Sequence, residues 1–395
     1  MTGVMTITPA VPSAHVEQRV LYVGYDLFSV GGIQRYSQYE LRALRELVSP
    51  GAIRACSLLP PDRQLFDSPD VALTGGGRSA AAKVAFGRAV MREARAHAAR
   101  LIICDHISLA PVAFLAARAA GAALCVNVYG LEVWGPLLPW RRAALGAADV
   151  IVSDCHFTRR HLEQRFVRLA GRIRVVEDCV DVDRFQPGAG DEALRQQLGL
   201  RLQPVVLTVS RLARGRSKGH RAVLAALAEL RREGLDFTYL VVGDGDDLQP
   251  LKDHAAKLGV ADSVVFAGAL PDDVLPSAYR LCDVFVLASG FKLGRRAEGE
   301  GVPLVVLEAQ ASGKPCITSR LDGSAESLVD GETGWLVDPN DVGEIGAALR
   351  RLLLDDRARR EMGDAARRFA VKRFSYEVFR DLIDATLLEH TGATR

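Results

Sequence analysis

Residues 298–315 read E-G-E-G-V-P-L-V-V-L-E-A-Q-A-S-G-K-P, and the fold is decided here. The stretch follows Asp283-Val-Phe-Val-Leu-Ala-Ser289, an apolar run of the kind that makes a buried parallel strand. Gly299 and Gly301 allow a tight turn with its backbone open to a ligand. Pro303 suits the first turn of a helix, where its missing N–H costs nothing. A helix over Leu304–Ser312 is expected, ending at Gly313. A strand, a glycine turn and a helix N-terminus together form an anion site, because N–H groups and the helix dipole point at the ligand. Two carboxylates flank it. Glu308, two helical turns on, suits a ribose diol while the helix end around Gly301, Val302, Pro303 and Leu304 holds phosphate. Glu300 faces what lies beyond the phosphate, a sugar being one candidate. On spacing alone, an acidic turn and a surface glutamate remain the alternative.

Outward from this stretch, apolar runs alternate with helical patterns, the signature of doubly wound α/β domains. Towards the C-terminus follow a strand at Pro315–Ser319 and helices to about Arg373, then an amphipathic helix over Phe374–Glu389. Upstream, a strand over Val205–Val209 leads into Ser210-Arg-Leu-Ala-Arg-Gly-Arg-Ser-Lys-Gly-His220. Arg211 offers forked contacts to phosphate and Lys218 a compact point charge, so the pair suits a diphosphate. Gly243, in Gly243-Asp-Gly-Asp-Asp247, opens another turn at a strand end. It lacks the third glycine of a dinucleotide fingerprint. Near the N-terminus, Gly31 and Gly32 open a helix running to about Val48, again a place for an anion. Glycines that serve packing alone are the alternative there. Ligands in open α/β sheets collect at the carboxyl ends of strands. The clusters Asp105-His106 and Tyr129-Gly-Leu-Glu132 sit at such ends, which makes His106, Tyr129 and Glu132 candidates for a second substrate. A histidine capping the next segment is the plain alternative for His106.

The chain has 395 residues, enough for two domains of ordinary size. No apolar run reaches membrane-spanning length. Residues 1–18 lack the basic and apolar regions of a signal peptide and read as a flexible tail. Seven cysteines without a C-x-x-C pair point to reduced thiols, a cytoplasmic setting and no zinc site. Residues 1–190 hold 22 Lys and Arg against 17 Asp and Glu, whereas the remainder holds 28 against 31. The N-terminal excess could meet an anionic membrane or acceptor, and is too small for nucleic acid. Val133-Trp-Gly-Pro-Leu-Leu-Pro-Trp-Arg-Arg142, with arginines 159, 160, 165, 168, 172 and 174 beyond it, has two readings. One is a buried Trp corner beside a solvated helix. The other is an apolar wedge with cations that docks on the inner face of a bilayer as a peripheral protein.

The frame E-G-x-x-x-x-x-L-E-A-x-A-x-G-x-P resembles the E-x7-E motif of the retaining glycosyltransferases of family 4, enzymes of the GT-B fold. Other segments agree. Gly31-Gly-Ile-Gln-Arg35 resembles the family's G-G-x-x-R loop. Ser210, Arg211 and Lys218 match its G-R-L…K-G motif with Ser in place of Gly. Val242-Gly-Asp-Gly245 matches V-G-D-G, and Asp178-Cys-Val-Asp181 with Phe185 matches N-G-V-D-x-x-x-F with Asp and Cys in place of Asn and Gly. Tyr129 stands where the family often has His, so no donor-contacting role carries over to it. The D-x-D of Asp181 and Asp183 is accounted for by this match rather than by a metal.

The resemblance implies two Rossmann-like doubly wound domains facing a cleft. Residues 19–186 would form an acceptor-side domain, 187–373 a nucleotide-sugar domain, and 374–395 a helix crossing back to the first. It implies a nucleotide-sugar donor and a glycan or lipid-linked acceptor, with no metal and no cofactor. The donor contacts would be Gly31, Gly32, Arg211, Lys218, Gly243, Gly301, Val302, Pro303, Leu304 and Glu308, with Arg211, Lys218 and Glu300 catalytic. A GT-B sugar-nucleotide epimerase and a non-catalytic sugar-nucleotide-binding partner are the readings of other classes.

Overall fold

A computed structural model describes residues 18–29, 31–61, 71–215, 218–294 and 297–388. The tail expected over 1–18 therefore lies outside the described residues, except for Gln18, as do Arg216 and Ser217 of the basic loop. The chain gathers into two compact units. One draws on residues 18–127, 140–151 and 380–388, the other on 128–139 and 152–379.

The apolar runs become parallel strands of two sheets. The first contains β1 (Val20–Gly24), β2 (Ile53–Ser57), β3 (Val71–Thr74), β4 (Leu101–Cys104), β5 (Ala123–Val128), β6 (Val150–Ser153) and β7 (Ile173–Val175), in the order β3-β2-β1-β4-β5-β6-β7. The second contains β8 (Val205–Val209), β9 (Thr238–Val242), β10 (Val264–Gly268), β11 (Val284–Leu287), β12 (Cys316–Ser319) and β13 (Gly334–Val337), in the order β10-β9-β8-β11-β12-β13. Each order grows one way from its first strand and then turns back, at β1/β4 and at β8/β11. Crevices for ligands open at the carboxyl ends beside such switch points.

The second sheet shows why its strands are apolar without alternation. Leu207, Leu240 and Phe285 face one core with Val306, Leu307 and Phe374, while Val206, Val241 and Val286 face another with Leu224, Leu227 and Leu349. Helices cover both faces, so both sets of side chains are buried.

Two expectations change, and one pair of readings is decided. Pro303 is the N-cap of the helix Leu304–Ala311, not a first-turn residue, because its ψ of 116° is extended. The expected helix over 374–389 is interrupted: Asp356–Phe374 and Tyr376–Ile383 are separate helices. Ser375 between them is extended (φ −68°, ψ 158°) and bridges Val180, which helical backbone could not do. Of the two readings of residues 133–142, Trp134 fits the buried corner and not the wedge. It is 2% exposed, donates its indole N–H to Thr158 Oγ1 at 3.1 Å, and meets Phe157 and Phe291 edge-on. Trp140, 58% exposed, is the tryptophan of that segment that meets solvent. Several of the nearby arginines are engaged within the protein. Arg159 pairs with Glu163, Arg160 with Glu326, and Arg165 donates to the carbonyls of Val133 and Gly135.

Candidate functional site

The β8/β11 switch point brings together residues that lie far apart in sequence. Val206 and Leu207 of β8 pair with Val284 and Phe285 of β11, so the segments leaving the two carboxyl ends emerge side by side. From β8 come Ser210, Arg211 and Lys218; from β11 come Ser289 and the turn Gly299–Gly301. Gly219 lets the basic loop cross close over the end of β11. Its φ is +81°, and a Cβ there would lie 2.2 Å from the Ala288 carbonyl oxygen. That crossing delivers the Lys218 ammonium to the Glu300 carboxylate. The same Glu300 oxygen, Oε1, accepts from Ser289 Oγ at 2.8 Å.

Arg211 is exposed at the end of β8 and lines one small hollow with Lys218. Behind the loop, a buried polar chain holds its frame. Thr208 Oγ1 donates to the Val286 carbonyl at 2.7 Å, so it accepts from Tyr239 Oη at 2.9 Å. Tyr239 in turn accepts from His220 Nδ1 at 3.0 Å, which leaves Nε2 to accept from Ser210 Oγ at 2.8 Å. Only a neutral imidazole fits this order. Burial favours that form, lowering His220 to about 4. Arg221 and Asp247 form a two-pronged ion pair at 2.7 and 2.8 Å beside it. Gly243, at the end of β9, packs against the Ser210 carbonyl.

The helix Leu304–Ala311 begins at the other side of the glycine turn; the Pro303 carbonyl accepts from the Val306 amide at 2.9 Å, and the amides of Leu304 and Val305 precede that first bond. Glu308 lies on its flank, where the Tyr279 hydroxyl donates to Oε2 at 2.7 Å. Two buried carboxyl groups also stand here that the sequence did not assign to the site. Asp154 lies against Gly301, and Asp178 is beside it. Burial raises both well above the usual carboxylate range, with repulsion from Asp178 adding to it at Asp154 and from Glu308 at Asp178.

Asp322, also missed, accepts the Glu300 backbone N–H at 2.8 Å. It follows β12 as one acid in a polar loop, with nothing in its spacing to mark it.

The acceptor-side candidates divide. His106, at the end of β4, accepts from the Ser108 amide at 3.2 Å through Nδ1, the plain capping geometry. Burial and then Arg141 lower it to about 4. Glu132 accepts from the Tyr129 amide at 2.5 Å and so closes its own turn at the end of β5. Gly31 is the N-cap of the helix Gly32–Leu47 at the β1 end. Asp181 caps the amides of Asp183 and Arg184 at 3.2 and 2.9 Å. Among the described residues no three His, Cys, Asp or Glu side chains gather as metal ligands. All seven cysteines are buried, and none forms a disulfide.

Two parallel Rossmann-like sheets, with cations, a helix end and two carboxylates collected at the second switch point, define a GT-B glycosyltransferase. Structures of that fold superpose along almost the whole chain. Anabaena HepE, solved with UDP and glucose, matches with a TM-score of 0.78 and 20% identity over 94% of this chain and 99% of its own. Sucrose-phosphate synthase from Thermosynechococcus elongatus matches with a TM-score of 0.79 and 20% identity over 95% and 100%. In sequence, residues 30–184 match the model of Glycosyltransferase Family 4 and residues 190–369 that of Glycosyl transferases group 1. The GDP-mannose-dependent alpha-(1-6)-phosphatidylinositol monomannoside mannosyltransferase of Mycolicibacterium smegmatis is 37% identical over 278 residues, 68% of this chain and 71% of that protein. A D-inositol 3-phosphate glycosyltransferase of Corynebacterium jeikeium is 32% identical over 58% and 55%. The chain belongs to the group 1, family 4 glycosyltransferases.

Proposed function

We propose that this enzyme is a retaining hexosyltransferase that uses a UDP- or GDP-linked sugar. Its acceptor is a glycan or lipid-linked molecule in polysaccharide or glycolipid assembly. The observation that carries the reading is the meeting of Arg211, Lys218, Glu300, Glu308 and the helix end at one switch point. The cations and first-turn amides receive the diphosphate, Glu308 the ribose, and Glu300 the sugar. As the bond from C1 to the phosphate oxygen breaks, Arg211, Lys218 and the helix end take up the charge that develops there. The acceptor oxygen forms its bond to C1 on the same face, and its proton passes to the departing phosphate oxygen. Configuration is retained, and no metal or cofactor is required.

Relatives named as GDP-mannose-dependent, at 33–37% identity, support GDP-mannose as the first donor to test. They also favour transfer over isomerisation of the donor. His106, at the end of β4, and Tyr129, after the end of β5, are the candidates for contact with the acceptor, with Glu132 fixing the turn at Tyr129. A thermal-shift panel of UDP-, GDP- and ADP-sugars tests the donor, since a ligand at a hundredfold its dissociation constant adds about 2.7 kcal/mol. Acceptor-dependent release of nucleoside diphosphate is expected. Isomerised sugar nucleotide from donor alone would support the epimerase reading instead.

A lipid acceptor implies contact with an anionic membrane surface, and the helix Ala80–Ala96 supports this better than Trp134. No described helix is long and apolar enough to cross a membrane. Arg88 and Arg92 stand one turn apart on its exposed side, without an ion-pair partner among the described residues. Lys83 occupies the first turn, where the helix dipole disfavours a cation and no acid compensates. Val84 and Leu115, 56% and 53% exposed, add apolar surface. The helix's one acid, Glu93, is paired with Arg54.

A further inference from the structure

We infer that Asp322 is a positioning residue for Glu300, holding the glycine turn so that one carboxylate oxygen faces the hydroxyls of the transferred sugar. This assignment rests on the donor-site reading above. Asp322 is 2% exposed and so offers almost no surface to a ligand. Its Oδ2 accepts from the Glu300 amide at 2.8 Å, and its Oδ1 from the Ser324 amide at 3.0 Å. The next residue, Gly323, donates its own amide to the Glu300 carbonyl at 2.9 Å. Thus both backbone polar groups of Glu300 are held by two consecutive residues of the loop after β12. The approach is close: a Cβ on Gly323 would lie 2.7 Å from the Gly301 carbonyl oxygen and 2.8 Å from that of Glu300.

The side chain is fixed as well. Glu300 Oε1 takes Ser289 and Lys218, which leaves Oε2 as the oxygen with no partner among the described residues. A carboxylate pinned through its backbone and one oxygen offers its other oxygen in one direction. Such an acceptor can separate sugars that differ in the orientation of a single hydroxyl, because the wrong epimer leaves it unpaired. Asp322 is also a costly way to hold a turn. Burial and the neighbouring Glu300 carboxylate raise it to about 7. Its two oxygens accept two amides in one geometry, which Asn, with a single acceptor oxygen, cannot repeat.

The test uses the full chain and compares Asp322→Ala and Asp322→Asn, each alone and in a Glu300→Gln background. Expected is a fall in kcat of about 10²-fold for Asp322→Ala, the usual cost of a group displaced by about 1 Å. Donor KM and nucleoside-diphosphate affinity should stay within about twofold, as for independent sites. Asp322→Asn should recover part of the loss. In the Glu300→Gln background the additional loss should shrink to about twofold, because Asp322 acts through Glu300. Preference for the true donor over its epimer should narrow. A full loss in both backgrounds, or wild-type kcat in either variant, overturns the assignment. Should Asp322→Ala not fold, Asp322→Asn decides by the same criteria. A wild-type enzyme that neither binds nor transfers any nucleotide sugar would sink the donor reading instead. The tether is then read by hydrogen exchange of the peptide over 297–303. It should exchange faster in the Asp322 variants at unchanged Tm, and unchanged exchange would refute the tether.

Discussion

The Lys218 ammonium rests on Glu300 Oε1, the oxygen that also accepts from Ser289 Oγ at 2.8 Å. The loop after β8 and the turn after β11 are thereby joined through one carboxylate oxygen. Lys218 is held at the head of the anion site by a partner that repels phosphate. An arriving diphosphate would compete for the same ammonium, so the pair sets both the position of the lysine and its readiness to change partner.

Lys218→Ala should lower kcat by about 10²–10³, the range for loss of one preorganised charge stabiliser, with a smaller effect on donor KM. Combined with Glu300→Gln, the losses should fall short of multiplying, because the two side chains are in contact. Steady-state kinetics of the four proteins decides. Wild-type kcat in Lys218→Ala would place the diphosphate elsewhere.

Glu308→Ala should act mainly on donor KM, since ribose hydrogen bonds change little during the reaction. Tyr279 donates to Glu308 at 2.7 Å and so orients it. Removing that one bond in Tyr279→Phe costs about 1 kcal/mol, or about fivefold in donor KM at constant kcat. An effect on kcat alone in either variant would contradict the ribose assignment.

Much of this site was legible because its elements are local. The helix at 304, the turn at 299–301 and the basic loop each show in a few consecutive residues, and the strands of the second sheet are apolar runs with sharp ends. What escaped depends on tertiary contact. Asp322 and Tyr279 acquire their partners only when β12 and the helix Leu275–Leu281 pack beside the site helix. β3 was missed because four residues, Val71–Thr74, carry too little periodicity. Trp134 left two readings open for a related reason. An apolar stretch beside arginines looks interfacial in sequence, but Phe157 and Phe291, from distant segments, close over it.

Activity should persist in EDTA, because Arg211, Lys218 and a helix end perform the charge stabilisation that a divalent cation would supply. Product formation with and without excess chelator is the measurement. Complete loss restored by Mn²⁺ or Mg²⁺ would give Asp181 and Asp183 a role beyond capping their turn.

Vesicles of phosphatidylglycerol should retain the protein and zwitterionic vesicles should not, with release at high salt. Arg88→Glu with Arg92→Glu should abolish retention, each cation near the surface being worth about 1 kcal/mol. Arg357→Glu with Arg360→Glu, a charge reversal on an exposed helix of the other unit, should not. Equal binding to both lipids, or retention unaffected by the first pair, would remove the helix Ala80–Ala96 from this role.

Glu40 should make the protein less stable as pH rises. It is buried in the first unit, where Oε2 accepts from Tyr22 Oη and Asn127 Nδ2, each at 2.7 Å, while Oε1 has no partner among the described residues. Burial outweighs these two bonds and raises Glu40 from 4.5 to about 7. Asp105, buried and close enough to feel Glu40, is raised to about 8. In both cases the folded value lies above the unfolded one. Their stabilising contribution is therefore whole below about 4 and fades as pH rises through about 7–8. Glu40→Gln removes the titration but leaves an amide N–H₂ to satisfy. The variant should be less stable than wild type at pH 5, by about 1 kcal/mol, the usual cost of a mismatched buried hydrogen bond. By pH 8.5 that deficit should vanish or reverse, because wild type alone then carries a buried charge. Urea unfolding of both proteins at the two pH values measures the difference. A deficit of the same size at both would mean that Glu40 does not change its proton in this range.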